Sequence, residues 1–103
     1  MPKYLKRNYK FIQFEKSNRK GKKYNAVLQN RKTAREVRVP FGAIKKDGTP
    51  HVQYKDSTGF GLYSAYDHGD KKRRDRYRAR HHKEQASFRL YYSPGYFAWR
   101  FLW

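Results

Sequence analysis

A chain of 103 residues is long enough for one small domain, and 26 Lys+Arg against 8 Asp+Glu give it a formal charge of +18. Ten Tyr, seven Phe and two Trp exclude the disordered basic tail that such a charge would otherwise suggest, because tails of that kind are poor in aromatics. With no cysteine, disulfide staples, thiolate metal sites and cysteine nucleophiles are excluded together, which fits a reducing compartment. No apolar run approaches the roughly 18 residues of a membrane span, and no h-region follows the basic N-terminus, so neither membrane insertion nor secretion is expected. A domain of this size buries only roughly 60–70% of its unfolded surface, and self-repulsion weighs against the thin core that results.

Residues 4–14 alternate, with Tyr9 and Phe11 on one side and Lys10, Ile12 and Phe14 on the other, which predicts a strand. Ser17-Asn18-Arg19-Lys20-Gly21-Lys22 reads as a turn in which Gly21 supplies positive φ. A second strand is expected over 23–29 with Tyr24, Ala26 and Leu28 on one face, and residues 30–33 turn again. Over 35–41 Val37, Val39 and Phe41 face one way while Glu36 and Arg38 face the other. An antiparallel meander of three strands is the simplest arrangement. Residues 42–66 are rich in loop signals, among them Lys46-Asp47-Gly48-Thr49-Pro50, with a short strand over 51–54. Residues 67–84 are predicted to form a helix that Asp67 or Asp70 caps and whose cations run toward its negative end. Ser93-Pro94 has the form of an N-cap followed by proline at the first helical position, so 93–103 become a short aromatic helix that closes the core or docks on a partner. The expected fold class is α+β, in one domain spanning 1–103.

The cations define the candidate site. Lys71, Lys72, Arg73, Arg74, Arg76, Arg78, Arg80 and Lys83 point in every direction around the helix axis, and only Asp75 and Glu84 offer i,i+4 support. Arginine favours forked contacts with carboxylate or phosphate, so an anionic partner is expected here. Arg19, Lys20, Lys22 and Lys23 at the first turn form a second candidate anion-binding group. Tyr77, Tyr96, Phe97, Trp99, Phe101 and Trp103 are the candidate packing or interface aromatics. No catalytic residue, metal site, cofactor or small-molecule substrate is expected. The acids stand singly among cations that keep them ionised, and nothing has the pattern of a nucleophile elbow, a P-loop or a carboxylate pair. His51, His68, His81 and His82 lack chelating spacing, since adjacent helical residues point about 100° apart. Residues 58–66 approach the aromatic RNP1 signature of RNA-recognition motifs, but the basic first residue is missing, the last aromatic comes one place late, and no helix precedes them.

Tyr63, Tyr66, His68 and Asp70, then Arg74, Tyr77, Arg80 and His81, and finally Leu102-Trp103 form a longer pattern. It resembles that of an uncharacterised family of small basic, Tyr/Arg-rich proteins of large nucleocytoplasmic DNA viruses. Arg19-Lys20-Gly21-Lys22-Lys23-Tyr24 and Phe41-Gly42-Ala43 match as well. Residues 44–60 are an insertion relative to that pattern, and relatives usually continue past Leu-Trp. The resemblance implies a viral context and virion association, with host cytoplasm or nucleus as the place of assembly, and it carries no catalytic residues.

Two functions are therefore expected. The first is a non-enzymatic minor capsid component that cements acidic surfaces of neighbouring capsid proteins. The alternative is a sequence-nonspecific DNA- or RNA-binding protein that contacts the genome. An anionic membrane surface stays open as a partner, because it needs only charge.

Overall fold

The computed structural model describes residues 4–103. Strands β2 (Tyr9–Lys16), β3 (Lys22–Asn30) and β4 (Glu36–Ala43) form the antiparallel meander, in the order β2-β3-β4. Their alternating faces meet a C-terminal helix, and the result is a mixed α+β fold. The expected first strand is divided in two. β1 (Tyr4–Leu5) is separate from β2 and pairs antiparallel with β5 (Tyr91–Tyr92), matching Tyr4 with Tyr92. Simple alternation also misplaces the rings of β2. A register shift between Phe11 and Gln13 inserts an extra residue, Ile12, which is exposed. Phe11 and Phe14 therefore turn to the same side, with ring centroids 4.8 Å apart.

Helix α3 (Pro94–Phe101) begins as its sequence predicts, with Ser93 Oγ accepting from the Tyr96 amide at 3.1 Å and Pro94 following. Its buried Phe97, with Leu102 just beyond, packs on Phe14, Tyr24, Ala26, Leu28, Val39 and Phe41. Phe97 lies 5.5 Å from Phe41 and stacks at 5.7 Å on Tyr92. The helix end is satisfied from outside. Tyr54 and Lys55 donate their amides to the Leu102 carbonyl, and Ser57 donates to that of Phe101. Over 51–54 the amides scatter, His51 donating to the Ala43 carbonyl, Gln53 to Tyr66 and Tyr54 to Leu102, so no strand ladder forms and Gln53 makes only an isolated bridge to Asp67.

The basic helix is shorter than its sequence suggests. α1 covers Lys71–His81, and Asp70 is its cap, accepting from the amides of Lys72 and Arg73 at 2.9 and 3.4 Å. Asp67 belongs to the preceding loop, where it accepts from Gln53 Nε2 and the Asp56 amide. Between them, Gly69 at φ +61° breaks helical geometry. Beyond His81 the chain tightens into a 3₁₀ turn, His82–Glu84, then forms α2 (Gln85–Phe88) before reaching β5. Among the described residues, no helix is long and apolar enough to cross a membrane.

Candidate partner-binding surface

α1 has no fully buried residue, yet it is docked. Arg74, Tyr77, Arg78 and His81 are spaced along one helical stripe and are the half-buried residues of the helix. Tyr77 stacks on Trp103 at 4.4 Å with the rings 5° from parallel. Arg78 donates to the Trp103 carbonyl at 3.0 Å and lies 5.2 Å from the Trp99 ring centre. The Arg74 guanidinium sits 4.7 Å from the centre of Tyr54. Cation–π contacts of this kind contribute about 0.5–2 kcal/mol each as they lose water. They explain how a helix without an aliphatic face is held. Burial pushes the Tyr77 hydroxyl up to about 12, with Glu84 acting in the same direction.

The expectation that helix cations point to partners in every direction is thus corrected. Arg74 and Arg78 face the protein's own aromatic rings. Lys71, Lys72, Arg73, Arg76, Arg80 and Lys83 remain exposed. Their acidic neighbours offer little neutralisation. Asp70 lies 3.8 Å from Arg73 but is occupied as the cap, and Asp75 approaches only the inward-facing Arg74, at 4.0 Å.

The first turn is divided in the same way. Arg19 and Lys20 are exposed and Lys22 is half-buried. Lys23 is not a surface cation at all, being 2% exposed. Its ammonium donates to the His51 carbonyl and to Gln53 Oε1, both at 2.7 Å. Burial pulls it down to about 8, against the opposing attraction of Asp56 and Asp67. Lys23 therefore leaves the anion-binding group. It anchors a polar network that continues from Gln53 to Asp67 and from Asp67 to the Asp56 amide. Burial pushes the Asp56 carboxyl up, but hydrogen bonds from Thr58 and Tyr24 outweigh it and hold the group below its usual range. This network fastens the 51–67 loop to the sheet.

The C-terminal aromatics are occupied internally. Phe97 is central to the core, Tyr96, Phe101 and Trp103 pack around it, and Trp99 meets Phe88 at 5.6 Å. The terminal helix closes this protein's own core. The large apolar side chains left exposed are others, Val52, Phe60, Leu62 and Leu90 among them, and no periodicity in the sequence marked them. His68 has a local role, accepting from the Asp70 amide through Nδ1 and placing its ring 5.3 Å from Trp103.

Among the described residues, no three His, Asp or Glu side chains gather in a way that could hold a metal ion. Compared with protein-family models, curated proteins and solved structures, the chain finds no match.

Proposed function

We propose that this chain is a non-enzymatic structural component of a virus particle. It acts as a minor capsid protein that cements acidic surfaces of neighbouring shell proteins. One observation carries the reading. α1 is held to the body by Arg74, Tyr77 and Arg78, while Lys71, Lys72, Arg73, Arg76 and Arg80 stand exposed on this fixed helix, and Lys83 in the turn just beyond it, with almost no acid beside them. A preordered cationic face meets an acidic protein surface without the entropy cost of ordering a tail. The exposed Val52, Phe60, Leu62 and Leu90 supply apolar contact of the kind protein interfaces bury and phosphate backbones cannot reciprocate. The viral setting comes from the sequence resemblance alone.

The same exposed cations favour a second reading, sequence-nonspecific nucleic-acid binding. Neutralising about six phosphates would give a log–log salt slope near −5. Gentle dissection of particles separates the two. Under the structural reading the protein leaves with shell proteins, and release only with the genome overturns it. Purified protein should lose duplex DNA below about 150 mM salt. Reversing Lys72, Arg73 and Arg76 to Glu should block incorporation while leaving the fold intact, because none of the three faces the body.

A further inference from the structure

A groove of about 480 Å³ separates the start of β3 from the C-terminal half of α1. Lys22 borders it from β3, Arg80 and His81 from α1, and His51 from the connecting loop, while the exposed Val52 and half-buried Ala98 supply apolar surface. No Asp or Glu lines it. The neighbouring groove of about 540 Å³ differs, since Glu84 accompanies Arg19 and Arg38 there. Glu84 reaches His81 at 3.3 Å but neither Lys22 nor Arg80, so among the described residues the first groove joins two unpaired cations, on separate elements, to an apolar surface.

We propose that this groove takes an extended acidic segment of a partner protein, with carboxylates on Lys22 and Arg80 and an apolar side chain against Val52 and Ala98. Charge complementarity selects the carboxylates, and the arginine fork suits them. The apolar surface requires a partner that alternates charge with hydrophobicity, which a phosphate backbone does not do. Base stacking would need a free aromatic face. Here Tyr77 packs at 4.4 Å against both Trp103 and His81, and Trp103 also meets His68 at 5.3 Å. The rings are engaged with one another. The inference deepens the shell-protein reading, on which it rests for a partner that is protein.

The test uses the full chain and three labelled probes in fluorescence anisotropy at about 150 mM salt. These are a peptide alternating Glu and Leu, a Glu-only peptide of equal charge, and a thymidine oligomer. The alternating peptide should bind about tenfold more tightly than either of the others. Lys22→Gln combined with Arg80→Gln should weaken it about tenfold, whereas Lys45→Gln with Lys46→Gln, an exposed pair outside the groove and the outer face of α1, should change it less than about twofold. Ala98→Leu, which narrows the groove without altering charge, should weaken the alternating peptide alone. Equal binding of the two peptides, tighter binding of the thymidine oligomer, or equal losses from both charge variants overturns the proposal. Particles keep its failure distinct from that of the shell reading. Normal incorporation of the groove variant, beside failed incorporation of the outer-face variant, overturns the groove alone. Normal incorporation of both overturns the shell reading.

Discussion

Lys23 shows how far a single residue can depart from its local pattern. Beside Lys22 at the start of a strand it reads as a solvated cation, yet its ammonium is enclosed by groups contributed from His51 and Gln53. The partners lie far along the chain, so no local signal could announce them. The burial has a measurable consequence. Lys23 titrates at about 8 in the folded chain against 10.5 when free, so between those values the unfolded chain binds more protons. Stability should therefore climb by about 1–3 kcal/mol as pH rises through that window. Tyr24 and Tyr77 act in the opposite sense above pH 10, because burial raises each from 10.0 to about 12 and the unfolded chain ionises first. Urea unfolding at about pH 7.5 and about pH 9.5 reads the climb, and Lys23→Met should flatten it. An undiminished climb in that variant would assign the effect to falling net charge instead.

At the scale of the element, α1 is an assembly of two kinds of contact. Its first turn depends on Asp70, and its docking depends on the Tyr77–Trp103 stack and the Arg78 bond to the Trp103 carbonyl. Asp70→Ala should cost about 1 kcal/mol and fray the first turn. Tyr77→Ala should cost roughly 2 kcal/mol, below the value for a fully buried ring, and release the helix as a unit. Hydrogen exchange would then accelerate over residues 71–81 while β3 stays protected. Acceleration of both together would mean that the helix and sheet unfold cooperatively. The helix was legible from its cap and charge pattern, but its length was not. Asp67 carries the same cap chemistry as Asp70, but the left-handed Gly69 and its own bonds to Gln53 and Asp56 keep it out of the helix.

For the whole molecule, the imbalance of 26 cations over 8 acids is the dominant electrostatic fact. Among the described residues the ion pairs involve exposed or half-exposed groups, such as Arg38 with Glu15 at 2.8 Å, and pairs of that kind contribute only about 0–1 kcal/mol. Self-repulsion therefore outweighs native pairing. Raising salt from about 20 to about 300 mM should raise the melting temperature, as screening shortens to below 10 Å. A melting temperature that falls with salt would show that the native pairs dominate after all.

Features that depend on near neighbours were legible in the chain alone. Strand faces follow from two-residue alternation, and the caps at Asp70 and Ser93 follow from side chains bonding amides two or three residues away. The bulge at Ile12 was not legible there, because alternation cannot reveal an inserted residue. Long-range packing set which cations face outward, drew Lys23 into the interior, and turned the terminal aromatics onto their own core. Those outcomes depend on burial and on contacts between distant segments, and a basic side chain carries the same charge in the sequence whether it meets water, a carbonyl or an aromatic ring.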